Sequence, residues 1–302
     1  MDYAAYRAFI ESKSISTEKH GFVPTSMPGR LFEHQRRAVE FALERGRAAL
    51  FLDTGLGKSG CEAVFADEAR KHTGKPALIL TPLAVARQMQ RECEAFGVDA
   101  KVVREDADVF GGVNIANYER LGKLDTSRFG AVVLDESSIL KSFMGQTKRQ
   151  LVEAFAQTPF RLAATATPAP NDHMELGTHA EFLGVMGSME MLCRWFINDT
   201  ATASQDWRLK GHAVADFWSW VASWGRAASL PSDLGGDDDG FILPPLRHQL
   251  HTVGVDLTID AGDMLFRIPD QSATSMHAEK QRTLTERVGL AAQIANSETG
   301  AV

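Results

Sequence analysis

Only three cysteines (Cys61, Cys93 and Cys193) occur in the 302-residue chain. They stand too far apart for a disulfide framework or a zinc knuckle, which argues against a structural zinc and fits a reducing compartment. No run approaches the ~18 apolar residues of a membrane span. The N-terminal MDYAAYRAFIESKS also lacks the basic segment and apolar stretch of a secretion signal, so a cytoplasmic location with no membrane partner is expected. Positive charge is short as well: 32 Lys and Arg stand against 39 Asp and Glu, a net charge of −7. A surface coated in basic charge is therefore excluded, and any nucleic-acid contact has to come from a local patch. What the chain does have is an apolar fraction of 44%, ample for a sizeable core, in a length suited to one large domain or two ordinary ones.

Short apolar runs alternate with helical patterns over the first two thirds of the chain. Strands are expected at 48–53, 77–81, 113–117, 131–135 and 161–166, and helices at 35–44, 58–71, 83–96 and 146–156. Strands of four to seven residues alternating with longer helices predict βαβ units and a parallel sheet, hence an α/β fold. ALILTP and AVVLDE are continuously apolar, as strands buried on both faces should be. Residues 1–29 read as an N-terminal extension, ending in the Pro- and Gly-rich VPTSMPG. The stretch 186–224 is rich in Met and Trp and mostly helical in pattern. Within it Phe217, Trp220, Val221 and Trp224 recur at helical spacing, which favours packing over a stacking platform for bases. Gly235, Gly236 and the acid run Asp237-Asp238-Asp239 read as an exposed loop, 246–257 as a strand, and the tail as helix.

Residues 52–59 read LDTGLGKS between an apolar run and a helical pattern. A strand, a glycine-rich turn and a helix in that order cradle phosphate, because inward-facing N–H groups and the helix N-terminus both favour an anion. Lys58 would reach the β- and γ-phosphates and the Ser59 hydroxyl would ligate Mg²⁺. Leu52 stands where the full pattern has its first glycine, and a surface turn with a solvated lysine is the alternative reading. At 131–138, AVVLDESS delivers Asp135 and Glu136 to the carboxyl end of a strand, where open α/β sheets place ligands. One carboxylate there can hold Mg²⁺ while the other orients an attacking water. At 161–172, RLAATATPAPND ends a further strand in Thr165 and Thr167. Their hydroxyls could bond the acidic pair, or simply belong to an ordinary strand end.

Together these three segments resemble superfamily 2 helicases and translocases, the Swi/Snf-like branch in particular. The resemblance continues in family order through LFEHQRRAVEFAL at 31–43, LILTPLAVARQMQRECEAF at 78–96, NIANYERL at 114–121 and FILPPLRHQLHTVGVDL at 241–257. It implies a RecA-like parallel sheet sandwiched by helices, that is, the first ATP-binding lobe over 30–185 followed by a helical insertion and bridge at 186–257. It further implies ATP and Mg²⁺ as cofactors and DNA as partner. Gln35 would read adenine, and Thr54, Gly55, Gly57, Lys58 and Ser59 would bind the nucleotide. Asp135 would share Mg²⁺ with Ser59, Glu136 would position and deprotonate water, and Lys58 would act on the phosphates. Thr165 and Thr167 would couple nucleotide state to a nucleic-acid groove at Thr81, Pro82, Arg87 and Gln88, with Asn117 and Tyr118 close by.

Two features depart from the family. Ser138 stands where many relatives carry a histidine in the acidic motif. The Gln-x-x-Gly-Arg-x-x-Arg motif of a second lobe is also missing; the nearest approach, around Gly225-Arg226, has Ala222 and Ser229 in place of the glutamine and the second arginine. The segment 258–302 resembles a lead-in to a second RecA-like lobe, which is expected on another chain or in a further C-terminal part. Arg194, Arg208 and Arg226 are the local candidates for a finger. The expected activity is a DNA-dependent ATPase of helicase or translocase type that needs that lobe for full turnover. The alternative is a non-motor ATP- or DNA-binding scaffold.

Overall fold

The computed structural model describes residues 18–141, 145–199, 206–242, 245, 248–254 and 273–297. They fall into two compact units divided at 243/244. In the first, seven strands form one sheet: β1 (Arg47–Leu52), β2 (Ala77–Thr81), β3 (Ala100–Val102), β4 (Val113–Asn117), β5 (Ala131–Asp135), β6 (Phe160–Ala164) and, much later in the chain, β9 (Gly225–Ala228). Their order is β3-β4-β2-β5-β6-β1-β9, and every pairing is parallel.

Side chains of each strand alternate between two apolar layers, as the pleat dictates. Ala48, Leu50 and Leu52 of β1, Ile79 of β2 and Val133 of β5 face one core. There they meet α1 (Glu33–Arg45), α2 (Lys58–Thr73) and α3 (Ala86–Ala95). Ala49 and Phe51, Leu78 and Leu80, and Val132 and Leu134 face the other core. That layer is covered by α4 (Gln146–Ala154), α5 (Leu176–Leu183), α6 (Ser188–Trp195) and α7 (Val214–Trp224). A parallel sheet with helices on both faces is the RecA-like arrangement that the motifs imply, and its continuously apolar strands follow from burial on both sides.

Three elements depart from the sequence expectation. Between α6 and α7 the chain makes a two-stranded antiparallel ribbon, β7 (Phe196–Asp199) and β8 (Asp206–Leu209), where a mostly helical stretch was expected. β3 is only three residues long and sits at the sheet edge. β9 reads Gly-Arg-Ala-Ala and has no β-branched residue, so it becomes a strand because the free edge of β1 accepts it. Residues 248–254 contain no strand, and the rest of the strand expected at 246–257 lies outside the described residues. The stripe Phe217, Trp220, Val221 and Trp224 is buried in the second core, as packing predicts.

In the second unit, α8 (Ala273–Arg282) and α9 (Leu284–Ser297) occupy the tail expected to be helical. Among the described residues no helix is long and apolar enough to cross a membrane.

Candidate nucleotide-binding site

β1 is buried through Leu52, after which Asp53, Thr54 and Gly55 emerge into solvent. The emerging loop is tied at its base, because the Asp53 N–H donates to Ala228 O of β9 at 2.9 Å. Asp53 Oδ1 in turn accepts from the Thr54 N–H at 2.7 Å. Leu56 turns inward and is buried. Gly55 and Gly57 take φ values of 90° and 73°, which exact a steric penalty from any residue with a Cβ. At Gly57 a Cβ would also stand 2.1 Å from Gln35 Nε2. α2 then begins at Lys58, so its first-turn N–H groups and positive dipole end face the loop. Ser59 is half-buried in that first turn. Lys58 folds back across its own loop, donating to Leu52 O at 2.9 Å and Asp53 O at 3.4 Å.

Gln35, expected on the adenine, is buried and engaged with the loop backbone. Its Nε2 donates to Leu56 O at 3.1 Å and Gly57 O at 3.4 Å, while its Oε1 accepts from the Phe32 N–H at 3.0 Å. His34 adds a further donor, Nε2 to Leu56 O at 3.2 Å. Beside them Phe32 is 57% exposed, its ring edge-on to Phe241 at 5.2 Å. The sequence reading passed over Phe32, although an aromatic three residues before Gln35 was a visible signal.

The acidic turn is built by four elements. β5 delivers Asp135, half-buried, and Glu136, exposed, whose φ of 52° is the sole positive value at a non-glycine among the described residues. Such a conformation persists only where neighbours hold it. The Tyr118 hydroxyl donates to Asp135 O at 2.7 Å, and Thr165 Oγ1 donates to Glu136 Oε2 at 3.2 Å. Thr165 itself is buried and accepts from the N–H of the exposed Thr167 at 3.1 Å. His179 of α5 lies behind, with Nδ1 3.4 Å from Glu175 O and Nε2 3.2 Å from Ser137 Oγ. A carbonyl can only accept, so Nδ1 carries the proton and Nε2 accepts from the Ser137 hydroxyl. Tyr118 and His179 escaped the sequence reading as supports of this turn, since they lie 17 and 42 residues from the groups they bond.

The strand order sets β6 between β1 and β5, so the loop after β1, Thr165 and Asp135 share the carboxyl edge of the sheet. Burial and then Glu136 push the Asp135 carboxyl up to about 6, with Lys58 pulling the other way. Among the described residues no three His, Cys, Asp or Glu side chains converge to hold a metal unaided.

The proposed nucleic-acid turn divides by exposure. Thr81 is buried with its hydroxyl on Pro82 O at 3.2 Å, Pro82 is half-buried, and Leu83, Arg87 and Gln88 face solvent. Asn117 is half-buried and Tyr118 buried. Of the candidate finger arginines, Arg226 lies over the Phe41 ring at 3.6 Å and Arg194 lies over Trp195 at 5.3 Å; Arg208 is in β8.

No family model and no curated protein matches this sequence. Solved structures do. The SWI2/SNF2 ATPase core of Sulfolobus solfataricus in complex with dsDNA superposes with a TM-score of 0.56 at 18% identity, covering 69% of this chain and 46% of that one. The fold resembles that of a SWI2/SNF2 ATPase core. The same core domain without DNA gives a TM-score of 0.54 at 17% identity, covering 71% of this chain and 48% of that one. The UvsW helicase of bacteriophage T4 also matches, at 17% identity and a TM-score of 0.41. The chain thus spans about half the length of the SWI2/SNF2 structures.

Proposed function

We propose that this chain is the ATP-binding lobe of a nucleic-acid-dependent ATPase of the helicase or translocase type, acting on DNA. The observation that carries this reading is the meeting of the glycine-bent loop and Lys58 with Asp135 and Glu136 at one sheet edge, where Lys58 and Asp135 feel each other's charge. Backbone N–H groups of 55–59 bind the phosphates, Lys58 leaves its loop carbonyls for the phosphate oxygens, and Gln35 holds the loop in register beside the base. Glu136 orients the attacking water and takes its proton. Thr165, bonded to Glu136, relays the state of that carboxylate to Thr167, whose N–H donates to the Thr165 hydroxyl just past the end of β6. Ser59 and Asp135 supply the hard oxygen donors that suit Mg²⁺, and the unpartnered oxygens of buried Glu62 fit a site that receives a cation. When bound, Mg²⁺ would neutralise the charge developing on the phosphates.

Arg87 and Gln88 present a local polar patch to DNA on a chain that is acidic as a whole. Likeness to a SWI2/SNF2 core solved with dsDNA supports that partner. A second RecA-like lobe, on another chain or C-terminal to this one, completes the site with arginines. Calorimetric titration of MgATP into the protein and into Lys58→Ala tests the proposal. The expected loss is at least about tenfold in affinity, as for a hydrogen bond from a charged donor. Equal affinity in the two proteins would remove the phosphate-loop assignment.

A further inference from the structure

Glu62 belongs to no motif, yet its position is unusual. It lies on α2 three residues after Ser59 and four after Lys58, which puts all three on one face of the helix. Its exposure is 0%, and neither carboxyl oxygen has a hydrogen-bond partner. Burial, before any neighbouring charge, holds its carboxyl well above the ordinary carboxylate range; Asp135 and Glu136 push the same way and Lys58 pulls against them. The other buried carboxyls among the described residues each have at least one partner: Asp67 Oδ1 accepts from Arg70 Nη2 at 2.8 Å, and Glu175 Oε1 accepts from Asn171 Nδ2 at 2.7 Å. An acid held in the interior with two empty acceptors is destabilising unless a donor or a cation reaches it. Helix register sets this carboxyl one turn beyond Lys58 and Ser59, which border the phosphate cradle.

We propose that Glu62 is an outer ligand of the Mg²⁺ that enters with the nucleotide, accepting hydrogen bonds from metal-bound water without touching the metal. The inference rests on the nucleotide reading above. Mg²⁺ dehydrates reluctantly and keeps several waters, taking one or two protein oxygens and the phosphates as direct ligands. That matches a site in which no three acids converge by themselves. Water on a divalent cation presents its hydrogens outward, so the shell around it needs acceptors. Glu62 offers two once the entering cation displaces the proton that burial holds on it, on the face that carries the Ser59 hydroxyl. Groups of this outer kind orient the inner shell and strengthen metal binding.

The test uses the full chain, unaltered and as Glu62→Gln and Glu62→Met. Mg²⁺ is titrated at fixed concentration of a fluorescent ATP analogue, and the Mg²⁺ concentration at half-maximal binding is read. Both substitutions are expected to raise that concentration about tenfold or more, while affinity for the metal-free analogue does not weaken. Superimposable Mg²⁺ curves would overturn the proposal. Thermal midpoints without nucleotide or metal give a second reading. Glu62→Met, similar in volume and free of charge, should match or exceed the unaltered protein. A clear fall for Glu62→Met, or failure of both variants to fold, would mean that the carboxyl already has stabilising partners in the nucleotide-free protein, and the proposal would go. If the unaltered protein itself binds no analogue at any Mg²⁺ concentration, the nucleotide reading falls first and takes this inference with it.

Discussion

At the scale of single residues, the proposed function separates groups that would bind from groups that would react. Glu136 is exposed, conformationally restrained and bonded to Thr165, so Glu136→Gln should keep the loop and the fold. Nucleotide affinity is expected to stay within a few-fold in calorimetry, while turnover of the completed ATPase falls by at least about 10²-fold, the scale of a lost general base. His179 makes a different prediction. Burial pulls its imidazole down to about 4 from 6.5, so it is neutral in the fold. A base whose folded value is lowered stabilises above its unfolded value, and that stability is lost as pH falls through the window from 6.5 to 4. The difference amounts to about 3 kcal/mol. Chemical denaturation at a series of pH values should show this acid limb and should show it flattened in His179→Gln; an unchanged limb would count against the buried neutral imidazole. Gly57→Ala is expected to abolish nucleotide binding in the same titration, because both the positive φ and the Gln35 amide exclude a Cβ.

At the scale of elements, the strands carrying the motifs are tied to the chain around them. Arg161 of β6 is buried and donates to three carbonyls: Thr158 O at 2.9 Å, Phe182 O at 2.8 Å and Ala156 O at 2.9 Å. It ties the strand to the chain leaving α4 and to the end of α5. Arg161→Leu would leave those carbonyls without their donor, at about 3 kcal/mol or more, and urea unfolding should record that loss. The same arrangement explains what was legible along the chain. β1, β2, β4, β5 and β6 announce themselves as apolar runs, and α1 as a periodic helix, because burial on two faces or one face demands those patterns. β9 has no such pattern, since four small residues become a strand only beside the open edge of β1. The ribbon of β7 and β8 was hidden for a related reason, as each strand of four residues holds only two periods of alternation.

At the scale of the whole molecule, a net charge of −7 confines the proposed DNA binding to a few local contacts. If Arg87 meets a phosphate, Arg87→Ala should weaken duplex binding equally across sequences and lower the slope of log affinity against log salt by about one. An unaltered slope would remove Arg87 from the interface. ATP hydrolysis by this lobe alone is expected to be near background and to rise on adding a second RecA-like lobe that carries the arginine motif. An arginine so supplied is worth on the order of 10³–10⁵ in rate, which a steady-state phosphate-release assay resolves easily.

From its order of residues alone the chain determines a parallel α/β sheet, a glycine-bent loop at 52–59 and an acidic pair at 135–136. Each of these is a local pattern: a glycine where φ must be positive, an apolar run where a strand is buried, a carboxylate at a strand end. Only the tertiary structure decided that Gln35 is pressed against the loop, that Tyr118 and His179 hold the acidic turn, and that Glu62 is buried without a partner. Those relations join residues brought together by the crossovers between strands. Hydrogen bonding and desolvation depend on that distance in space, which no spacing along the chain encodes.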